Sequence, residues 1–277
     1  MLSTFICLAW PTMTSWHTHT RAHIPVAKII TWHVNPTPST YADLGAAGSA
    51  WLPTQLQLSV PHPAIIDWIP FPALRDKLIL YHSANPRLDD IICDIGNSYV
   101  MEADISTFVA GVGSLRGYIS VWDLVRAISP KTTDSSSGGT DANIVELNNA
   151  LGTDSTWAHG NRGSNCQAEQ GKDLGCSFPT LPAPSVDVLF NSNTLAFQAF
   201  KMLNMDKGPW RFKLDPAFFE RHPELYDPKT DLMAHGLPLR PSTRKSIEIP
   251  RPLDDSVLGR YRELVSWNFD LGLGRSS

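Results

Sequence analysis

Cysteine is scarce: Cys7, Cys93, Cys166 and Cys176 are all that 277 residues contain. Four such scattered thiols cannot staple a chain of this length, and no Cys-x-x-Cys spacing offers a zinc or redox pair. A reduced compartment, cytoplasmic or nuclear, is the expectation. Positive charge is also in short supply: 23 Lys and Arg stand against 27 Asp and Glu, for a formal charge of -4. No global basic field therefore concentrates phosphates. Nor does any apolar run reach the ~20 residues that a membrane-spanning helix needs, so no membrane partner is expected. The apolar start, residues 1–10, has no Lys or Arg before it and is cut short by Pro11, which argues against a signal peptide. No Asn-x-Ser/Thr acceptor occurs. Gly111-x-Gly113 lacks the third glycine of a dinucleotide loop, and no phosphate-binding Gly-x-x-x-x-Gly-Lys, nucleophile-elbow Gly-x-Ser-x-Gly or His-Glu-x-x-His is present. Without these signatures no cofactor is expected.

What the chain does have is apolar mass and proline. Hydrophobic residues make up 42% and prolines number 22, which fits a folded core crossed by irregular segments. Residues 1–50 mix Trp, His, Thr and Pro without a sustained period of 2 or 3.6 and read as a loosely structured lead-in. A single helical domain is expected over 51–277. From Trp51 to Pro72, prolines 53, 61, 63, 70 and 72 predict an extended strap with apolar anchors at Leu56, Leu58, Val60, Ile65, Ile66, Trp68, Ile69 and Phe71. Pro72 suits the first turn of a helix with Leu74, Leu78 and Tyr81 on one face and Arg75, Asp76 and Lys77 toward water. Further helices are predicted over Leu88–Tyr99, where Asp89 and Asp90 complement the helix dipole, over Tyr118–Ser129, and within Val188–Met205, where Ser192 or Asn193 can cap a helix that runs to Asp206.

Residues 131–185, rich in Ser, Gly and Asn, read as a flexible insert. Trp210–Leu214 alternates apolar and polar residues and predicts a short strand or edge. Asp215-Pro216 opens a short helix stopped by Pro223. A last helix is predicted over Asp254–Trp267. The fold class expected is mainly α: a compact helical domain with proline-rich extended straps, a long flexible insert and little or no β structure.

Two blocks carry a family resemblance. The first runs from Leu52-Pro53-Thr54-Gln55-Leu56-Gln57 through Pro61-His62-Pro63, Ile66-Asp67 and Pro70-Phe71-Pro72 to Leu74-Arg75-Asp76. The second comprises Gly208-Pro209-Trp210, Asp215-Pro216-x-Phe218-Phe219, His222-Pro223-Glu224-Leu225-Tyr226-Asp227, Asp231-Leu232-x-Ala234-x-Gly236 and Leu239-Arg240-Pro241. Together they resemble the fungal domain of unknown function 3425, which follows the basic leucine zipper in many filamentous-fungal transcription factors, and the resemblance covers most of 51–242. It implies a regulator's domain in fungal specialised metabolism. Two departures stand out. Residues 1–50 hold only Arg21 and Lys28 as formal cations, and no leucine heptads precede the domain, so direct DNA binding is not expected. The polar insert is also longer than the resemblance implies.

The chemistry-bearing residues admit two readings. His62 lies between prolines near Asp67, a pairing that general acid-base catalysis requires, while a proline-flanked histidine more commonly pins its own strap through a backbone carbonyl. Arg75 and Asp76 are placed to tie a strap whose prolines leave carbonyls needing donors. His17, His19, His23 and His33 lack carboxylate or cysteine companions at ligand spacing, so no metal is expected. Aromatic side chains supply most of the core, and Trp68, Phe71, Trp122, Trp210 and Phe212, with Arg75, are the candidates to line an apolar ligand site. Two functions follow as expectations. One is a stand-alone relative of the regulator domain that binds an apolar small molecule or a protein partner. The other is a cofactor-independent enzyme, of cyclase, pericyclase or isomerase type, that folds an apolar substrate in an aromatic pocket.

Overall fold

The structure is a computed structural model that describes residues 2–129, 179–250 and 252–263. Apart from Pro179, all of these belong to one folded unit. It is mainly helical, as expected, but the expectation of little or no β structure is corrected by a small four-stranded sheet.

The segment read as a loose lead-in is helical. Leu2–Ala9 (α1), Thr14–Thr20 (α2), His23–Val34 (α3) and Pro38–Ala46 (α4) follow one another closely. Arg21 turns the chain between α2 and α3 at a left-handed φ of 57°. These helices are short and weakly periodic, so tertiary packing rather than propensity holds them. Trp16 supplies the anchor, with its ring stacked on Tyr99 at 5.3 Å and edge-on to Phe212 at 5.9 Å. Trp51, Ile29 and Leu44 form a smaller cluster between α3 and α4.

The proline strap contains short helical turns. Gln55–Ser59 (α5) is opened by a capping box in which Thr54 accepts from the Gln57 amide and Gln57 accepts from the Thr54 amide. A 3-10 turn follows at Ala64–Trp68. Ile66, Ile69 and Phe71 are buried anchors, whereas Leu58 is exposed. Pro72–His82 (α6) starts on the predicted proline, and Leu88–Ser98 (α7) matches the predicted helix within a residue. Two placements on α6 differ from expectation: Tyr81 faces solvent, and Arg75 is only 1% exposed.

Tyr99–Asp104 (β1) leaves α7 directly and pairs antiparallel with Arg116–Ser120 (β2). Residues 118–120 were expected to be helical. They are strand because Ser120 ends β2 and caps the next helix, Val121–Ile128 (α8), by accepting from the Asp123 amide. The apolar spacing of Val121, Trp122, Val125 and Ile128 conceals that boundary. Ser192 closes a short helix, Val186–Asn191 (α9), and as the predicted cap opens Asn193–Met202 (α10), which ends at Met202 rather than Asp206. Lys213–Leu214 (β3) joins the far edge of β1, and Pro216–Arg221 (α11) starts on the predicted Asp215 cap. Trp210 lies in a 3-10 turn before β3 rather than in the strand.

Leu237–Leu239 (β4) runs parallel to β2, giving the order β3-β1-β2-β4. Gly117 permits that approach: a Cβ there would meet the Leu237 carbonyl and lie 2.6 Å from Ile105 Cγ1. The insert predicted over 131–185 lies outside the described residues up to 178. Its tail is anchored, with Ala183 buried and bonded to Phe108 and Ala110 by two 2.8 Å backbone hydrogen bonds. The predicted terminal helix is helical at 255–263, and its remaining span lies outside the described residues. Among the described residues no helix is long and apolar enough to cross a membrane.

Candidate ligand site

The 3-10 turn Ala64–Trp68 has two faces, and each meets a different environment. One presents Asp67 to a polar knot; the other presents Ile65 and Trp68 to an apolar cleft.

In the knot, the Asp67 side chain is 5% exposed and its carboxylate is saturated. His33 Nε2 donates to Oδ2 at 2.8 Å, His62 Nε2 donates to Oδ1 at 2.9 Å, and Gln57 Nε2 also donates to Oδ1. His62 Nδ1 donates to the Val60 carbonyl at 2.7 Å. Each nitrogen of the His62 ring thus faces an acceptor. Arg75 lies behind Asp67 and its Nη2 donates to the Ala50 and Leu52 carbonyls, each at 2.9 Å. Burial pushes the Arg75 guanidinium down to about 10, with Asp67 and Asp76 opposing the fall, so it remains charged at neutral pH. Asp76 accepts from the Thr54 hydroxyl. The strap is therefore tied as its missing donors demand. His62 and Asp67, the weak catalytic candidates, do meet, but within a closed set of partners. His33, whose side chain is 44% exposed, reaches the surface from α3.

The cleft is built from five parts of the chain. Trp10, Met13, Trp16, His17, Ala22 and Val26 come from the N-terminal helices and their connections, and Ile65, Trp68, Ile69 and Pro70 from the strap. Ile92, Cys93, Ile95 and Gly96 belong to α7, which Tyr99 follows, while Pro209 and Ile247 complete the wall. The lining has no charged side chain, and the cavity volume is about 60 Å³. The C-terminal strap lies along its rim, held where Trp10 Nε1 donates to the Glu248 carbonyl at 2.6 Å and Trp122 Nε1 donates to the Lys245 carbonyl at 3.0 Å. Ile247 comes so close to Gly96 that a Cβ there would lie 2.9 Å from its Cδ1. The Ile247 amide is bonded to Asn97 Oδ1 at 2.8 Å.

His17 is the exception in this lining. It is 8% exposed, and its Nδ1 has no hydrogen-bond partner. Burial, aided by the neighbouring His23, lowers its pKa to about 4, so the ring is neutral at physiological pH. Leaving such an atom unpartnered costs about 1–3 kcal/mol. Cys93 is a thiol rather than a thiolate, since burial, with Asp89, Asp90 and Asp94 adding to it, pushes it up to about 12. Tyr99 is likewise held protonated by burial.

Of the residues expected to line a ligand site, Trp68 does so. Phe71 and Phe212 pack behind it on Tyr99, at 5.9 and 5.6 Å, and Trp122 backs Trp16 at 6.5 Å. Arg75 belongs to the knot, and Trp210 is 50% exposed with its indole N–H donating to the Lys207 carbonyl. The structure does not gather the four N-terminal histidines. His17 lines the cleft, His19 packs on Phe200, His23 Nδ1 donates to the His17 carbonyl and His33 holds Asp67. Trp10, Trp16 and His17 were missed because their segment lacks periodicity. The available signal was that three of the nine tryptophans, Trp10, Trp16 and Trp32, fall within the first 50 residues, and side chains of that size need something to cover them.

The fold and cleft define a mainly helical domain with an uncharged, tryptophan-lined recess. The chain belongs to the DUF3425 family, a domain of unknown function, whose model matches residues 27–233, about three quarters of its length. No curated protein and no solved structure matches it. The matched span contains the whole polar knot and the strap, α7, Tyr99 and Pro209 walls of the cleft. The wall that carries Trp10, Trp16 and His17 lies ahead of it.

Proposed function

We propose that this chain is a regulatory domain of the kind its sequence blocks resemble, one that takes an apolar small molecule into the Trp10–Trp16–Trp68 cleft and does not itself grip DNA. The observation that carries this reading is a recess walled by Trp10, Trp16, Trp68 and Tyr99 with no charged side chain in its lining, since ligand sites combine apolar and aromatic walls with few polar groups. Two further features support it. The saturated knot of Asp67 and His62 is not part of the cleft lining, which favours binding there over proton transfer by those residues. The net charge of -4, with two formal cations in the first 50 residues, supplies little to neutralise a phosphate backbone. Fungal specialised metabolism is the setting that the resemblance suggests for the ligand.

Titration of the full chain with toluene, followed by the indole N–H signals in heteronuclear NMR, tests the proposal. Saturable shifts confined to Trp10, Trp16 and Trp68 are expected, with the toluene affinity reduced at least fivefold in Trp68→Ala. The absence of saturable shifts in the wild-type protein would overturn the cleft as a ligand site. Retardation of a DNA duplex at physiological salt, with a steep loss as salt rises, would overturn the claim that the chain does not hold DNA.

A further inference from the structure

Residues 241–250, the C-terminal strap, form no helix or strand, and no backbone–backbone hydrogen bond links them to the other described residues. Side chains make the polar ties instead. The Arg244 guanidinium donates to Asp123 Oδ2 at 2.9 Å and to the Asn97 carbonyl at 3.3 Å, and the Lys245 carbonyl accepts from Trp122 Nε1 at 3.0 Å. The Ile247 amide donates to Asn97 Oδ1 at 2.8 Å, and the Glu248 carbonyl accepts from Trp10 Nε1 at 2.6 Å. The body thus reads the main chain of the strap at Lys245, Ile247 and Glu248.

Two side chains of the strap are recognised as well. Ile247 is buried, while Lys245, Ser246, Glu248 and Ile249 are exposed. Its seat exists because Gly96 has no Cβ: one there would lie 2.9 Å from Ile247 Cδ1. Arg244 meets the Asp123 carboxylate, which is 1% exposed. Burial raises the pKa of Asp123 and the Arg244 guanidinium opposes the rise, so the strap delivers a cation to a carboxylate that needs one. Main-chain hydrogen bonds that any sequence can make, combined with seats for chosen side chains, are how a protein surface holds an extended peptide. Gly96, Asn97, Trp122 and Asp123 lie inside the span that the family model matches, 27–233, and the strap follows it. The face belongs to the common domain and its occupant does not.

We infer that the face formed by Trp10, Gly96, Asn97, Trp122 and Asp123 is a peptide-recognition groove, filled by the chain's own residues 244–248 as an internal competitor, and that it takes an extended partner segment with an arginine three residues ahead of an aliphatic side chain. Asp123 reads the arginine, and the seat at Gly96 reads the aliphatic residue. Tethering gives the internal segment an effective concentration of about 1 mM. A partner therefore enters only by outcompeting it. The groove is independent of the small-molecule reading of the cleft, because peptide binding alone decides it, although Ile247 also forms part of the cleft wall.

The test uses the full chain and a dye-labelled peptide of residues 242–250, followed by fluorescence anisotropy. In the wild-type protein the tethered segment competes, whereas in Ile247→Asp a carboxylate that the apolar seat refuses vacates the groove. The peptide is expected to bind Ile247→Asp about tenfold or more tightly than wild type, since the competitor is gone. Peptides carrying Arg244→Ala or Ile247→Asp are expected to bind that variant about fivefold or more weakly than the parent peptide, the loss that removal of an anchor brings. Equal affinity of the two proteins for the parent peptide, no binding by either, or altered peptides that bind as well as the parent would overturn the groove. Hydrogen exchange in the wild-type protein decides the matter even if the variant does not fold. The Leu214 amide donates to the Leu232 carbonyl at 2.8 Å in the core. The Ile247 amide is expected to exchange about a hundredfold or more faster than that of Leu214, because the strap leaves without unfolding the domain. Equal protection of the two amides would overturn the strap as a displaceable occupant.

Discussion

Asp67 and Trp68 are neighbours in sequence, yet they serve regions governed by opposite rules. Around Asp67 the carboxylate has its counterpart in two histidines and a glutamine, and a guanidinium nearby ties two strap carbonyls. Around Trp68 the walls are apolar, and the one buried ring nitrogen has none. A saturated polar cluster in a low-dielectric interior rigidifies the chain, whereas an unsaturated one is costly until something outside completes it. The contrast gives the knot an architectural part and leaves the cleft to the binding proposed above. The catalytic types His62 and Asp67 meet within a closed set of partners, outside the lining of the cleft.

The comparison can be broken or sharpened by substitution, and the largest effect is expected in the knot. Arg75→Leu orphans the Ala50 and Leu52 carbonyls and leaves Asp67 without its cation. A loss of about 3–5 kcal/mol in urea unfolding is expected; a loss below 1 kcal/mol would mean that the knot is not structural. Asp67→Asn presents an amide to donors that want an acceptor and is expected to cost about 2–3 kcal/mol by the same measurement.

The third effect belongs to the cleft and appears as pH dependence. With His17 lowered to about 4 when folded against 6.5 when unfolded, the unfolded chain binds the extra proton between those values. The contribution of His17 is thus complete above pH 6.5 and is lost as pH falls toward 4. Wild-type protein should lose about 2 kcal/mol more than His17→Leu between pH 7 and pH 5. Parallel stability curves for the two proteins would place His17 in a solvated environment and remove the contrast.

Smaller still is the effect of His33→Ala, in which a half-exposed donor leaves one oxygen of Asp67 to water; a loss of about 0–1 kcal/mol is expected. Trp210→Ala, at an exposed ring outside both regions, is expected to change stability by less than about 0.5 kcal/mol and leave toluene affinity unaltered.

How much of this was legible follows from the range of the forces involved. Caps and prolines act locally, so α6, α7 and the Asp215-Pro216 start of α11 were readable within a residue or so. The tie between Arg75 and the strap was also foreseen, because prolines leave carbonyls in need of donors. The sheet was not: β1 follows α7 without a break and β2 runs into the apolar stripe of α8. Nothing in either hexapeptide-sized stretch announces a partner more than ten residues away. The N-terminal helices were missed for a related reason, since Trp16 is held by Tyr99, Trp122 and Phe212 and not by its own turn.

By itself the sequence determined the helix boundaries set by proline and capping residues, the apolar stock for a core, the family blocks and the poverty of positive charge, all of which are properties of neighbouring residues or of composition. Only the tertiary structure decided that a strap would place Asp67 among donors and Trp68 beside a void. It alone brought α2, α7 and the C-terminal strap together so that one histidine was left without a partner. Whether a buried polar atom is satisfied depends on every segment that packs around it, and that is settled when those segments meet.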